Sequence, residues 1–508
     1  MNLLETFAKA GVSPDRLQDD TRIDGIRADS RLVRPGDLFV CMPGTQVDSH
    51  QFIRQAKAAG AVAVLAHSPE GFEAALGEDL PAALVLPDKN WRFQDAVWRL
   101  CDAYFDHPTR NMKVVGVTGT NGKTTTACLV RDMLRALGLK AAYLGTLGFH
   151  LPGDERELAN TTPFAVDLYN LLTEARDAGV EALAMEVSSH ALAERRVDGV
   201  EFDVAVFTNL TQDHLDYHGT MEAYEAAKWR LFADLPKQTA KPAVAAINVA
   251  DPVGQRWADA VDPGRRLRFA VVPELGPFGQ QPVGLELQAE AFEVSLDRIH
   301  LVLQGDGHRD AGFVAPLGGQ YNVENLTASV ASVKALGFPI DQINEWGSQV
   351  RPVPGRFEPV PNDLGIGIIV DYAHTPDALE KLLDAVRPLT RGRVITVFGC
   401  GGDRDRTKRP KMARAASERS DVVVVTSDNP RTEDPVQILD DIEVGLVPGV
   451  PSVRIADRRE AVAHAVRVAE PGDVVVIAGK GHENYQIIGR TKVPMDDREL
   501  AREGLAAR

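Results

Sequence analysis

MKVVGVTGTNGKTTTACLVRDMLRALGL, residues 112–139, holds a strand, a glycine-rich turn and a long helix in immediate succession. The apolar run MKVVGVTG reads as a buried strand, TNGK as the turn and TTTACLVRDMLRALGL as the helix, with AAYLGT (141–146) as the next strand. Such a βαβ unit opens a parallel sheet, because parallel neighbours need a crossover connection. The turn runs from Gly116 through Gly119, Thr120, Asn121, Gly122, Lys123, Thr124 and Thr125, which sets backbone amides, a lysine and a hydroxyl at a helix N-terminus. Glycines let the backbone approach an anion, and orphan amides with the helix dipole favour phosphate. Lys123 neutralises the outer phosphates, and the Thr124 hydroxyl suits magnesium. A nucleoside triphosphate is the expected ligand. The spacing is a variant, since the general GxxxxGK[ST] loop needs glycine where Val117 stands.

Downstream, ALAMEVS (182–188), VAVFTNL (204–210) and VAAIN (244–248) extend the same sheet, with helical stretches such as FAVDLYNLLTEARDAG (164–179) between them. LELQAEAFEVSL and IHLVLQG, within 281–318, alternate as antiparallel strands do, and LTASVASVKALG restores a helix. Upstream, DLFVCMPG, AVAVLA and AALVLP are short apolar runs between Gly, Pro and Asp clusters, the pattern of a small α/β domain. RPVPGRFEPVPND (351–363) is a proline-bracketed junction; beyond it, strand-then-helix resumes from IGIIVDYAH to VVVIAGKG. The expected fold class is α/β with three domains. Residues 1–90 form a small N-terminal domain, 91–350 a central parallel-sheet domain with the phosphate loop, and 351–508 a Rossmann-like C-terminal domain.

A chain of 508 residues with 44% hydrophobic and 25% charged residues has apolar content enough for several cores. Its 56 basic against 72 acidic side chains leave a formal charge of −16, which argues against non-specific binding to nucleic acid or to an anionic membrane. Cys41, Cys101, Cys128 and Cys400 form no CxxC pair, so neither a disulfide framework nor a thiolate zinc site is expected, and a reducing cytoplasm fits. No apolar run approaches the about 20 residues that cross a bilayer.

A phosphate loop serves switches, motors, kinases and ligases alike, and the DxxG and NKxD of a switch are not evident. Glu186 ends the strand ALAMEVS, where a carboxylate reaches the carboxyl edge of the sheet as a candidate magnesium ligand. Ser188, Ser189 and His190 follow it, but the nucleophile elbow GxSxG of a hydrolase is missing. His214, after VAVFTNL, reads by itself as structural or solvated, and Lys228, in EAYEAAKWRLF, as a snorkelling surface lysine on an amphipathic helix.

GVTGTNGKTTT, EVSSHAL, NLTQDHLDYHGTMEAYEAAKWRLF, DYAHTPDALE, FGCGGDRDRTKRP, DNPR and GKGHENYQ, in this order along nearly the whole chain, resemble the Mur ligase family. The resemblance implies a cytoplasmic ATP-dependent amide ligase of peptidoglycan precursor synthesis. Its substrates would be UDP-N-acetylmuramoyl-L-alanyl-D-glutamate, meso-2,6-diaminopimelate and ATP, with Mg2+, an acyl-phosphate intermediate and a monomeric enzyme. It makes Lys123, Lys228 and His214 catalytic. Thr124, Glu186, His214 and Lys228 would be metal ligands, with Lys228 as a carbamate, an anionic oxygen donor that magnesium prefers to an ammonium. Asn322, Asn325 and His374 match adenine- and ribose-side contacts. Ser30, Thr45, Gln46 and Val47 match the uracil and diphosphate contacts, and Asn160, Thr161, Thr162, Ser188, Glu194 and Arg196 those of the muramoyl dipeptide. Glu194 departs from a glutamine found in similar enzymes. Arg404, Asp428, Asn429, Pro430, Arg431, Gly479 and Glu483 match the amino-acid contacts. Asp428-Asn429-Pro430-Arg431 would by itself read as a turn capping the next helix. In a ligase cleft, an unpaired buried Arg431 fork would take the distal carboxylate of diaminopimelate, which lysine lacks. The rivals are a lysine-adding relative, a folylpolyglutamate synthetase and a P-loop switch.

Overall fold

The computed structural model describes residues 1–44, 47–272, 285–305, 308–309, 312–344 and 349–508. The chain divides into two compact units: Met1–Ala270 with 284–286 and Ala328–Pro339, and 271–283 with Leu287–Thr327 and 340–508. The α/β class expected from the sequence holds in both.

The first unit contains two sheets. Residues 16–18, 82–84, 63–66, 37–40 and 25–27 form a five-stranded sheet in that order, parallel except for the 16–18 edge. Its inner strands, such as Ala63–Ala66, are buried at every position. That is why they read as unbroken apolar runs rather than alternating ones. In the second sheet of this unit, the order is 266–271, 244–248, 204–207, 113–118, 182–186, 141–145, 148–151 and 154–156. The strands from 266–271 to 141–145 are parallel, and the last two turn back antiparallel. Lys113–Thr118 therefore lies between 182–186 on one side and 204–207 on the other. From it the chain leaves first to one flank and later to the other. That reversal opens a crevice at the carboxyl ends of the strands, and the glycine-rich turn drops into it.

The second unit contains a six-stranded sheet in the order 358–359, 367–371, 474–478, 394–398, 422–425 and 452–454, parallel except for its first strand. Leu287–Val294 and Ile299–Gly305 pair antiparallel, with a bulge between Ala291 and Glu293, as their alternation predicts. A hairpin of Tyr485–Ile488 with Thr491–Pro494 follows the last sheet strand. Among the described residues, no helix is long and apolar enough to cross a membrane.

Candidate functional site

The phosphate loop is shaped by two glycines. Gly122 (φ 85°) precedes the helix Lys123–Ala136, and a Cβ on Gly119 (φ 153°) would fall 1.9 Å from Thr208 Oγ1. The next strand exit clamps the loop from outside: Thr120 N donates to Asn209 O (2.8 Å) and Asn121 N to Asn209 Oδ1 (3.0 Å). Lys123 Nζ folds over the turn onto the carbonyls of Gly119 (3.0 Å) and Thr120 (2.8 Å). Thr124 and Thr125 are buried in the first helical turn.

Glu186, 1% exposed at its strand end, meets this helix directly: Thr124 Oγ1 donates to Glu186 Oε2 at 3.0 Å. Tyr143 Oη (2.5 Å) and Thr146 N (2.8 Å) donate to the other oxygen, Oε1. Two hard oxygen donors, a hydroxyl and a carboxylate, thus sit side by side at the phosphate loop, which fits magnesium.

Lys228 overturns the surface reading. Its side chain is 1% exposed, and Nζ donates to Gly119 O at 2.7 Å, the carbonyl that also accepts from Lys123. Burial, then the neighbouring Lys123 charge, holds its ammonium well below the ordinary lysine range. A neutral amine next to a second cation is a suitable nucleophile for carbon dioxide, and a carbamate there would replace repulsion of Lys123 by attraction. His214 adopts a left-handed conformation (φ 52°) and faces Asp213 (3.4 Å). Burial lowers its imidazole pKa despite that carboxylate. Among the described residues no hydrogen bond or ion pair joins His214 to Glu186. Ser189 pairs with His218 (3.0 Å) rather than His190 and is 1% exposed, so the adjacent Ser189 and His190 do not form an accessible hydrolase pair.

Thr162 ties the substrate-side segment to the same strand: its Oγ1 donates to Glu186 O (2.9 Å) and accepts from Ser188 N (3.1 Å). Thr161 Oγ1 contacts Thr146 Oγ1 (3.0 Å), and Asn160 is exposed. Ser188 Oγ caps the short helix Ser189–Ala193 by accepting from Ala191 N. Arg196 lies over the Phe164 ring (4.0 Å), and Nη1 donates to Thr162 O (2.9 Å). The rest of its fork is already engaged, because Nε (3.0 Å) and Nη2 (2.8 Å) both donate to Glu194 Oε2. In the five-stranded sheet's loops, Ser30 is buried and Val47 exposed, while Thr45 and Gln46 lie outside the described residues. Asp48, His50 and His67 also cluster there. His50 Nε2 accepts from His67 N (3.3 Å) and His50 Nδ1 lies 2.8 Å from Asp48 Oδ1, but among the described residues His50 Nδ1 and His67 Nε2 are buried without a hydrogen-bond partner.

In the second unit, Asp371, Asp428 and Gly479 gather at the carboxyl edge of the six-stranded sheet. Gly479 (φ 115°) lets Asp428 come close, since a Cβ there would lie 2.9 Å from Asp428 Oδ2. Asn429 is buried at the centre of a network: Nδ2 donates to Glu483 Oε2 (2.9 Å), while Oδ1 accepts from Lys480 Nζ (3.1 Å) and Ile487 N (2.9 Å). Lys480 also pairs with Glu483 at 2.9 Å. Pro430 is buried and Arg404 exposed. Asp434, not Asp428, caps the following helix Pro435–Glu443. Arg431 corrects one expectation. It is half-buried rather than buried, and Nη1 donates to Gly402 O at 2.9 Å, so its fork is partly solvated and partly paired. Asn322 and Asn325 are buried in the first turns of the helix Gln320–Ala335, where Nδ2 of Asn325 donates to Asn322 Oδ1 (2.9 Å). His374 is exposed beside Tyr372, whose carbonyl lies 2.9 Å from Nδ1.

Residues 117–333 match the family described as Mur ligase middle domain, 355–481 Mur ligase, glutamate ligase domain, and 22–87 Mur ligase family, catalytic domain. The chain is 46% identical over 517 residues to the UDP-N-acetylmuramoyl-L-alanyl-D-glutamate–2,6-diaminopimelate ligase of Synechococcus elongatus, covering 100% of this chain and 99% of that one. It belongs to the Mur ligase family. A ligase of the same name from Gloeobacter violaceus is 47% identical over 510 residues, with 100% and 99% covered. A solved structure of a ligase bearing this name aligns with a TM-score of 0.66 and 32% identity over 99% of this chain and 98% of the other. A folylpolyglutamate synthase from Thermotoga maritima shares the fold alone, with a TM-score of 0.56 and 17% identity over 75% of this chain and 89% of that one.

Sequence reasoning about this Mur ligase missed residues that act from behind. Tyr143 and Thr146 stand in AAYLGT, read only as a strand, yet both hold Glu186. Lys480 lies inside GKGHENYQ and is fully buried against Asn429 and Glu483. Arg458, also buried, forms a two-point pair with Asp497 (2.8 and 2.7 Å) and donates to Ser427 O and Ala478 O, the residues just before Asp428 and Gly479. The buried cations were the available signal, but only packing shows that they turn inward.

Proposed function

We propose that this Mur ligase is an ATP-dependent acid–amino-acid ligase that joins meso-2,6-diaminopimelate to UDP-N-acetylmuramoyl-L-alanyl-D-glutamate in peptidoglycan precursor synthesis. Identity with diaminopimelate ligases along the full chain carries the reading, and the residues of the phosphate crevice supply its chemistry. Residues 1–90 take the UDP end, 91–350 the ATP and the acceptor carboxylate, and 351–508 the amino acid.

The amides of Gly119 to Thr125 and Lys123 orient the triphosphate, and burial keeps competing water away. Transfer of the γ-phosphoryl to the D-glutamyl carboxylate gives an acyl phosphate and ADP. The diaminopimelate amine, after losing a proton, attacks the acyl carbon; the amide forms and inorganic phosphate leaves. Thr124, Glu186, His214 and a carbamylated Lys228 would hold Mg2+, which offsets phosphate charge when bound. Arg196 and Thr162 steady the dipeptide side, and Arg431, Asp428 and Glu483 the incoming amino acid, so no covalent enzyme intermediate is needed. Four buried cysteines fit this, since burial raises the thiol pKa of Cys41, Cys101 and Cys400 and leaves them poor nucleophiles. The reading places a monomer in the cytoplasm, where its nucleotide substrates are. Phosphate release measured with the UDP-muramoyl dipeptide and diaminopimelate, together and separately, tests it. Turnover only with both supports the ligase; hydrolysis that ignores the amino acid overturns it.

A further inference from the structure

The two oxygens of Glu186 are held unequally. Oε1 accepts from Tyr143 Oη (2.5 Å) and from the amide of Thr146 (2.8 Å). Among the described residues, Oε2 meets only hydroxyls, Thr124 at 3.0 Å and Thr146 at 3.3 Å. The difference matters because a hydroxyl can rotate its proton away and present a lone pair, whereas a backbone amide cannot. Nor is the Tyr143 hydroxyl free to turn. It accepts from Leu147 N at 3.2 Å, which commits its acceptor side and aims its proton at Glu186. The backbone is cut to fit this contact: a Cβ on Gly145 would fall 2.3 Å from Glu186 Oε1 and 2.4 Å from Tyr143 Oη.

We propose that Tyr143 is a positioning residue for the cation site: its fixed hydroxyl, with the Thr146 amide across the bare Gly145, saturates Glu186 Oε1 and leaves Oε2 beside Thr124 as the oxygen presented to a divalent cation. This rests on the reading of Glu186 as a cation ligand. Partners that orient a ligating carboxylate commonly change metal affinity by about 10- to 100-fold when removed. Tyr143→Phe keeps the buried ring and deletes one donor, so the carboxylate gains a rotation it now lacks.

The test is Mn2+ binding to the full chain with a non-hydrolysable ATP analogue, followed by electron paramagnetic resonance, with the thermal unfolding midpoint and metal-free affinity for the analogue measured alongside. Tyr143→Phe is expected to weaken Mn2+ by about 10-fold while leaving metal-free analogue affinity within about 2-fold, a split that a general loosening of the core would not produce. Thr146→Ala keeps the amide to Oε1 and weakens Mn2+ by less; the reverse order overturns the proposal. Unchanged Mn2+ affinity in Tyr143→Phe, with a clear loss in Glu186→Gln, overturns the role of Tyr143 alone. No loss in Glu186→Gln removes the cation-ligand reading and the proposal with it.

Discussion

Arg431→Ala should lower kcat/KM for diaminopimelate while leaving any kcat/KM for lysine nearly untouched. The guanidinium has one nitrogen on Gly402 O and is half-buried, so a substrate carboxylate would add charge-assisted bonds in a partly wet setting. Such bonds contribute about 1.5–3 kcal/mol when shielded, and solvent screening keeps the pair near about 2–3 kcal/mol in total. The expected loss is about 30- to 150-fold for diaminopimelate. Lysine has no distal carboxylate to lose, and a partly solvated Arg431 costs it little desolvation, so its kcat/KM should stay within about 3-fold. Initial rates of phosphate release for both amino acids, with wild type and variant, complete the cycle. Equal falls for the two substrates, or none for diaminopimelate, would refute Arg431 as the selector.

Glu194→Gln removes the carboxylate that holds Nε and Nη2 of Arg196. The KM for the nucleotide substrate should fall by about 5-fold at constant kcat, and a rise would mean that Glu194 itself contacts the substrate. Lys228→Ala should cost about 100- to 1,000-fold in kcat, partly restored by formate or acetate; activity indifferent to these acids would remove the carbamate. Burial, helped by Arg356, pulls His482 from 6.5 to about 4. Between those values the unfolded chain binds a proton that the folded chain refuses, so stability is full above pH 6.5 and declines as pH falls towards 4, by about 1 kcal/mol per pH unit. Urea unfolding at pH 7 and pH 5 checks this, and a slope that survives in His482→Gln would assign it elsewhere.

Much of the architecture was legible because the strands are buried on both faces. Runs such as VVVV at 422–425 and VVVIA at 474–478 have no other sensible packing. The phosphate loop was legible because its chemistry is local: glycines, lysine and threonine act within ten residues. What stayed hidden depends on long-range approach. Lys228 looked like a surface lysine because EAYEAAKWRLF has charge on several faces, and only the fold brings its tip to Gly119, 109 residues earlier. Arg431 was expected to be buried because a fork that selects a distal carboxylate works best when shielded; the fold gives it a left-handed backbone (φ 51°) and leaves it half-buried, which a local tetrapeptide does not reveal.

That turn is stitched to a distant hairpin. Arg431 N donates to Ile487 O (3.0 Å), Gly489 N to Arg431 O (2.7 Å), and Ile487 N to Asn429 Oδ1 (2.9 Å). A tetrapeptide transplanted into another scaffold would arrive without its trellis. On the proposed reading, redesigning amino-acid choice means moving Tyr485–Pro494 together with Asp428–Arg431, because hydrogen bonds join the two as one cassette.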